Sequence, residues 1–450
     1  MFVVGVGVAV IRYTRSMNIR SAVKRIIPHG LFERIEPAGH LAEAIFWNAA
    51  YGFPGRGLKV IGVTGTNGKT TTSFLIHKML IEAGHNAGLM TTVGYGVGPH
   101  IIPQVHHMTN VTSRELMKRL KAMNAKKMDW LVLETTSHAL AQHRVWGVPY
   151  SIAVITNITH EHLDYHKTFD RYTAAKRQLF TLAQQNTTGR QLGIVNADDQ
   201  YSMGFATETE NSISYGIEAG DVRATNIQLS AAGLSYIAQA GDAEYHIVSS
   251  LAGSFNVYNT LAAACVGRAL GLTSQQIEQG IAALKTVEGR MTTVDEGQDF
   301  TVLVDFAHTP DSFEKLLSDL RPIVKGKLVV LFGSAGRRDE AKRAIQGRIA
   351  GKYADEVVVT EEDDRDCDGV AIMEQIASGA IASGKAKDKN LFLVHNRAEA
   401  IAFAVKRAKS GEDTVLLLGK GHEKTIERAD GEHPWDEVGV ARDALRNLEP

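Results

Sequence analysis

The segment Val60-Ile-Gly-Val-Thr-Gly-Thr-Asn-Gly-Lys-Thr-Thr-Thr72 constrains the fold of this chain more than any other. A β-branched run (Val60, Ile61, Val63) stops at a turn containing Gly65 and Gly68. Lys69 and three threonines then lead into Phe74, Leu75, Met79 and Leu80 at helical spacing. Strand, glycine turn and helix in this order are the building unit of an α/β sheet and a cradle for polyphosphate. Glycines let backbone N–H groups close around the oxygens, the helix N-terminus favours negative charge, and the lysine adds a point charge. On that reading Lys69 reaches the β- and γ-phosphates, and Thr70 offers its hydroxyl to Mg2+. Val63 stands where the general P-loop pattern has its first glycine, which points away from the ordinary P-loop NTPases.

From Leu58 onward the pattern alternates. Strands are expected at 58–64, 130–135, 152–156 and 192–196, and helices at 69–83, 113–123 and 169–183. Such alternation predicts a mostly parallel sheet covered by helices. Residues 213–250 differ, with short strand-like pieces between glycines, and predict antiparallel hairpins at the sheet edge. A helix is expected over 256–270. Near Glu288-Gly289-Arg290 a second, Rossmann-like α/β unit begins, with strands expected at 300–305, 327–332, 356–360, 390–394 and 414–418. The expected division is a short N-terminal segment 1–57, a central nucleotide-binding domain 58–288 and a C-terminal domain 289–450.

A chain of 450 residues with 44% hydrophobic and 22% charged residues is ordinary for a globular protein and long enough for about two to four domains. A net charge of −1 gives no global attraction to nucleic acid or an anionic membrane. Two cysteines, Cys265 and Cys367, fit a reducing compartment. The apolar run Phe2–Ile11 is broken by Gly5 and Gly7 and lacks a preceding basic residue, so a buried strand or a non-native extension is expected rather than a signal peptide. No later run is long enough to span a bilayer. The expected location is the cytoplasm.

Three further constellations carry chemistry. Glu134 ends the apolar run Trp130–Leu133, at the sheet edge where α/β proteins place their sites, and is a candidate Mg2+ ligand. The segment Thr156-Asn-Ile-Thr-His160-Glu-His162-Leu-Asp164-Tyr-His166 follows another strand. It makes one metal- or phosphate-facing histidine plausible, although no complete zinc ligand set stands out. Lys176 lies on the expected helix 169–183, where a lysine ordinarily faces water.

These residues, in this order, resemble the Mur ligase family. Gly65-Thr-Asn-Gly-Lys-Thr-Thr71 is similar to the family's ATP loop, and Glu134-Thr-Thr-Ser-His138 with trailing Gln142 and Arg144 to its Glu-Val-Ser-Ser-His segment. Thr156-Asn157, His162-Leu-Asp164-Tyr-His166, Ala174-Ala-Lys176, Phe255-Asn256-Val-Tyr-Asn259, Gly289-Arg290-Met, Asp305-Phe-Ala-His308-Thr-Pro-Asp311 and Gly419-Lys-Gly-His-Glu423 continue the match over about residues 58–445. The nearest likeness is to the branch that adds the third residue of the peptidoglycan peptide.

The resemblance implies an ATP-dependent amide ligase that works through an acyl phosphate. It implies that Gly65, Thr66, Asn67, Gly68, Lys69, Thr70 and Thr71 hold ATP, and that Asn256, Asn259, Arg290, Asp305 and His308 surround the nucleotide. Thr70, Glu134, His162 and Lys176 would form the Mg2+ sites, with Lys176 carbamylated, which overturns the surface reading of that lysine. Lys69, Lys176, His162 and Glu134 would then be the catalytic set. Thr109, Thr136, Gln142 and Arg144 would face the muramyl-peptide. Lys342, Arg343, Asp363, Arg365, Gly419 and Glu423 would lie near nucleotide and incoming amino acid. Substrates are small molecules, and the expected unit is a monomer.

Three departures stand out. The 57 residues before the loop are fewer than the family's uridine-binding domain, so recognition of a UDP moiety is reduced, rebuilt or absent. Met108-Thr109-Asn110-Val111-Thr112 keeps one of two usual adjacent threonines, and Thr136-Ser137 replaces a Ser-Ser pair. The amino-acid-selecting loop, usually Asp-Asn-Pro-Arg in diaminopimelate-adding members, reads Glu362-Asp-Asp-Arg365-Asp366. Arg365 suits a distal carboxylate through a bidentate contact, whereas the acids at 363, 364 and 366 suit a cation such as lysine. Both amino acids remain open, as does a folylpolyglutamate- or poly-γ-glutamate-type ligase of the same fold.

Overall fold

A computed structural model describes residues 29–104, 109–159, 163–230 and 233–448. The expectations for Phe2–Ile11, Met108, His160 and His162 lie outside the described residues. A helix spans His29–Ala50. Eleven strands then build one sheet: β1 (Val60–Thr64), β2 (Ala87–Met90), β3 (Gly94–Val97), β4 (His100–Pro103), β5 (Trp130–Glu134), β6 (Tyr150–Ile155), β7 (Leu192–Asn196), β8 (Asn211–Gly216), β9 (Val222–Ser230), β10 (Gly233–Ala240) and β11 (Ala243–Ser249). Their spatial order is β11-β10-β9-β8-β7-β6-β1-β5-β2-β3-β4.

Strand β1 pairs in parallel with β5 on one side and β6 on the other. It is buried along its whole length, as a strand covered on both faces must be, hence its unbroken apolar run. Ile61 and Val63 pack with Leu75, Ile76 and Met79 of the helix Lys69–Glu82. Val60 packs on the opposite face with Leu131, Leu133, Tyr150, Leu179 and Phe180. Since β1 sits where the chain leaves in opposite directions to its neighbours, the carboxyl ends of β1, β5 and β6 converge on one crevice.

The expectation for 213–250 needs correction. Only β9, β10 and β11 form the antiparallel edge, whereas β8 extends the parallel sheet from β7. The glycines suggested turns but said nothing of strand direction. The hairpins made by β2, β3 and β4 escaped the sequence reading altogether.

A second sheet has the order β12-β13-β17-β14-β15-β16, comprising β12 (Thr292–Thr293), β13 (Thr301–Asp305), β14 (Leu328–Phe332), β15 (Glu356–Val359), β16 (Leu391–Leu393) and β17 (Thr414–Leu418). All its pairings except that of β12 are parallel. A small hairpin, β18 (Thr425–Arg428) and β19 (Gly431–Pro434), follows. The helix Pro310–Leu320 begins on Thr309, which forms a capping box with Ser312, and has proline in its first turn, so its start is fixed locally.

Candidate active site

The turn after β1 is held by side chains from the neighbouring strand ends. Gly65 has φ 144°, and a Cβ there would lie 1.9 Å from Thr156 Oγ1. Gly68 has φ 83°, and a Cβ would lie 2.3 Å from Asn259 Oδ1. Both positions therefore require glycine. Asn67 is clamped from two directions. Its N–H donates to Asn157 Oδ1 at 3.0 Å, while its carbonyl accepts from Thr156 Oγ1 at 2.6 Å and Asn157 Nδ2 at 3.0 Å. Thr66 Oγ1 lies 2.9 Å from the Tyr172 hydroxyl and accepts from the Thr159 N–H at 2.9 Å. Lys69 Nζ donates to the Thr66 carbonyl at 2.6 Å. The helix Lys69–Glu82 thus starts beneath a preformed nest, with Thr71 buried in its first turn.

Glu134 is buried at the end of β5. Thr70 Oγ1 lies 3.1 and 3.0 Å from its two oxygens. The Thr92 N–H donates to the same carboxylate at 2.9 Å, and Thr92 Oγ1 lies 3.0 Å from it. Thr92 Oγ1 is also 2.8 Å from Thr109 Oγ1, which links Thr109 to the acid. Buried oxygens facing one another are the donor chemistry that a hard dication takes, so Thr70 and Glu134 fit Mg2+. Lys176, on the helix Phe169–Gln185, is 2% exposed, and its Nζ donates to the Gly65 carbonyl at 2.6 Å. The ordinary surface role for a helical lysine does not apply. Nζ also lies 4.7 Å from the Tyr172 ring centroid, one helical turn earlier.

Asn256 and Asn259 are buried behind the loop. Asn259 Nδ2 donates to Asn256 Oδ1 at 2.8 Å, and Asn259 Oδ1 accepts from Thr72 at 3.2 Å. Thr136 caps the short helix Ser137–Ala141 and donates to Asn110 Oδ1 at 2.9 Å. Arg144 donates to the Asn110 carbonyl, and Gln142 ends the same short helix. Asn110 and Thr92 organise this corner; Asn110 was quoted only within the segment 108–112, and Thr92 lies in none of the motifs.

In the second sheet Asp305 ends β13. It accepts from the Met291 and Ala307 N–H groups, both at 2.8 Å. Burial pushes its carboxyl above the ordinary value, opposed by Arg290. Arg290 stacks 4.8 Å over the Phe306 ring, and its buried Nε lacks a hydrogen-bond partner. His308 Nδ1 is 2.9 Å from the Phe306 carbonyl, and Lys342 Nζ donates to the His308 carbonyl at 3.1 Å. Arg343 is buried, donating to Gln375 Oε1 at 2.7 Å and to the Ala335 carbonyl at 3.3 Å.

The acidic loop is not a bare patch of charge. Asp363 pairs with Lys420 at 2.8 Å, Asp364 with His395 at 3.1 Å, and Asp366 with Arg337. Arg365 Nε binds Glu427 at 2.7 Å. Lys420 also pairs with Glu423 at 2.6 Å, and those acids raise its pKa although burial works against the charge. Gly419, after β17, lies against Glu362, whose carboxyl burial pushes upward. Glu361, Asp364 and His395 bring three ligand atoms within 4.8 Å of one another. Arg428 already neutralises Glu361 at 2.8 Å, however, so this trio is an ion-pair network.

Asp311 was quoted in the sequence only as part of a motif. It crosses between the two sheets, accepting from Asn67 Nδ2 at 2.9 Å and Thr159 Oγ1 at 3.1 Å.

Comparison with known proteins is consistent across the chain. Residues 63–267 match the family model of the Mur ligase middle domain, and residues 289–421 that of the Mur ligase, glutamate ligase domain. The chain is 40% identical over 428 residues to the UDP-N-acetylmuramyl-tripeptide synthetase of Roseiflexus sp. (strain RS-1), covering 92% of this chain and 83% of that one. It is 38% identical over 411 residues to the UDP-N-acetylmuramoyl-L-alanyl-D-glutamate--2,6-diaminopimelate ligase of Bacillus velezensis, covering 90% and 82%. A solved UDP-N-acetylmuramoyl-L-alanyl-D-glutamate--2,6-diaminopimelate ligase superposes with a TM-score of 0.63 at 28% identity, covering 92% of this chain and 82% of the other.

Proposed function

The chain belongs to the Mur ligase family, and on that footing we propose that it is the ADP-forming ligase that joins a diamino acid to UDP-N-acetylmuramoyl-L-alanyl-D-glutamate. The observation that carries the proposal is the convergence of Lys69, the Thr70–Glu134 pair and Lys176 on a single glycine turn. The D-glutamyl carboxylate attacks the γ-phosphorus of ATP. The bond to the β-bridging oxygen breaks, ADP leaves and an acyl phosphate forms. The neutral amine of the amino acid then adds to the activated carbonyl and loses a proton, and inorganic phosphate departs with its bonding pair.

Lys69 and the loop N–H groups offset repulsion between the two anions and stabilise charge on the transferring group. Mg2+, held by Thr70, Glu134 and, from the family resemblance, His162, would supply further neutralisation of the phosphates. Lys176 serves as a carbamate, formed when its neutral amine adds to CO2 and releases a proton. The carbamate replaces a cation by a carboxylate suited to the metal. The clamp of Thr156 and Asn157 on Asn67 keeps the loop in its binding shape.

Residues Thr109, Thr136, Gln142 and Arg144 receive the muramyl-peptide, while Arg290, Asp305 and His308 meet the nucleotide from the C-terminal domain, which begins near 289. meso-Diaminopimelate is the preferred amino acid and L-lysine the second. The preference follows relatives named as 2,6-diaminopimelate ligases, since the loop's acids and its arginine are alike engaged, Asp363 with Lys420, Asp366 with Arg337 and Arg365 with Glu427. The working unit is a cytoplasmic monomer acting on small molecules, with neither nucleic acid nor membrane insertion involved; among the described residues no helix is long and apolar enough to cross a membrane.

Phosphate release, measured with candidate acceptors crossed with diaminopimelate, lysine and ornithine, tests the proposal. Release that requires both the muramyl-dipeptide nucleotide and a diamino acid is expected. Release with a folate or glutamyl acceptor and no muramyl compound would overturn it in favour of the folylpolyglutamate-type reading.

A further inference from the structure

We propose that the outward face of the helix His29–Ala50 rests on an anionic lipid surface, with basic side chains of the neighbouring helix Ser113–Asn124 meeting the headgroups. The inner side of the first helix is fixed to the body of the protein. His40, Ala44 and Asn48 are buried at four-residue spacing, and Asn48 Nδ2 donates to the Trp146 carbonyl at 2.8 Å. The outer side carries Ala38, Ala42, Ile45, Phe46 and Ala49, all exposed and at helical spacing. Ile45 is 42% and Phe46 60% exposed. Between Pro37 and Ala50 the one charged residue is Glu43, which is half-buried. A helix that turns a face to water ordinarily fills it with charged and polar groups. This one does not.

Charge is gathered beside the face instead of on it. The helix Ser113–Asn124 packs against the first helix, where the Arg114 guanidinium lies 4.9 Å over the Trp47 ring. Arg114, Lys118 and Lys121 recur at the spacing of one helix face and are exposed, and the exposed Lys126 and Lys127 follow. Among the described residues, only Lys118 of these five pairs with a carboxylate, Glu115 at 3.6 Å. The sequence over 12–34 adds Arg12, Arg15, Arg20, Lys24, Arg25 and Arg34 against the single acid Glu33. A chain of net charge −1 thus concentrates positive charge around one apolar face.

An apolar face flanked by lysine and arginine is what a helix lying in the plane of a membrane interface presents. The acyl boundary takes the apolar side chains, and each nearby base gains from the negative surface potential. Phe46, Trp47 and Tyr51 stand in successive ring contact, with centroids 5.0 and 6.1 Å apart, and such rings settle at the membrane–water boundary. Nucleic acid would suit the charge but leave Ile45 and Phe46 against water and phosphate. A second copy would suit the apolar face but bring two basic stripes together. The association lies on the bilayer and does not span it.

Flotation of the intact chain with mixed phosphatidylglycerol–phosphatidylcholine vesicles, and with pure phosphatidylcholine vesicles, tests the proposal. Binding to the mixed vesicles is expected, with weaker binding to the neutral ones and release by added salt. Ile45→Ser with Phe46→Ser should weaken binding by at least about tenfold. Lys118→Gln with Lys121→Gln, which leaves the apolar face intact, should weaken it by about fivefold per charge. All four side chains are at the surface, so urea midpoints should stay at the parent value. No binding by the parent, equal binding to both vesicle types, or binding kept by either variant pair overturns the proposal. Self-association lost in Phe46→Ser, without vesicle binding, would give the face to a second copy. A DNA duplex bound as tightly as the mixed vesicles would reduce the stripe to general anion attraction. Either result also overturns the lipid surface.

Discussion

Lys176 Nζ donates to the carbonyl of Gly65 at 2.6 Å. A lysine on a helix and a glycine at the end of a strand, 111 residues apart, thereby meet in the interior. A cation buried to this degree is costly unless it has a purpose or a partner. Lys176→Ala should abolish phosphate release coupled to ligation, with partial return on adding short carboxylic acids such as acetate or formate. Turnover equal to that of the parent would remove the carbamate assignment.

The loop geometry makes a second expectation. Gly68→Ala places a methyl 2.3 Å from Asn259 Oδ1 at a residue with φ 83°. The helix start must shift, and nucleotide binding should fall by at least about tenfold, equivalent to roughly 1.4 kcal/mol. Gly84→Ala, also at positive φ but with open space around it, is the control for backbone strain alone. If both variants bind ATP equally, the contact with Asn259 is irrelevant.

In the C-terminal domain, Arg397 and Glu437 form a fully buried pair at 2.6 Å, with further Arg397 bonds to the carbonyls of Glu361 and Leu418. Burial disfavours the guanidinium charge, yet Glu437 holds its pKa above the ordinary value. Glu437→Gln leaves that charge buried without its counterion and should cost about 3–5 kcal/mol in urea unfolding of the C-terminal lobe. A loss below about 1 kcal/mol, the range of exposed pairs, would contradict the burial of the pair.

His77 supplies a pH dependence. Burial, first among its causes, lowers its pKa from 6.5 to about 4, against a hydrogen bond to the Ala87 carbonyl. The unfolded state therefore binds more protons between those values, and stability is lost as pH falls through that window. At pH 5 the deficit relative to pH 7 from this one group is about 2 kcal/mol. His422, lowered to about 3 chiefly by burial, steepens the same slope. Urea midpoints at pH 7 and 5 should show this fall, and His77→Gln should lessen it. An unchanged slope in the variant would refute the assignment.

The parallel strands declared themselves in the sequence because burial on both faces demands nearly continuous apolar runs, as in Val60–Thr64 and Thr414–Leu418. Short edge strands such as His100–Pro103, largely exposed, carry no such demand and were missed. The loop and Glu134 were found through local grammar, whereas Lys176 needed family likeness, since nothing nearby in the chain distinguishes it from a surface lysine. Thr92 and Asn110 gain their roles only through contacts made across the sheet. The acids at 363, 364 and 366 looked like a free charge cluster because their partners, Lys420, His395 and Arg337, stand far off in sequence. Charge neutralised at a distance cannot be seen from a run of letters.

The partners of the glycine turn arrive late in synthesis. Glu134 follows Thr70 by 64 residues, Asn157 follows Asn67 by 90, Lys176 follows Gly65 by 111, and Asp311 follows Asn67 by 244. A nascent chain emerging from the ribosome has its phosphate cradle early but must wait for distant strands before that cradle acquires walls. Contacts of such separation are slow to form because a long stretch of chain has to be ordered first. The walls of the cradle therefore close only once chain as distant as 244 residues has been made and folded back.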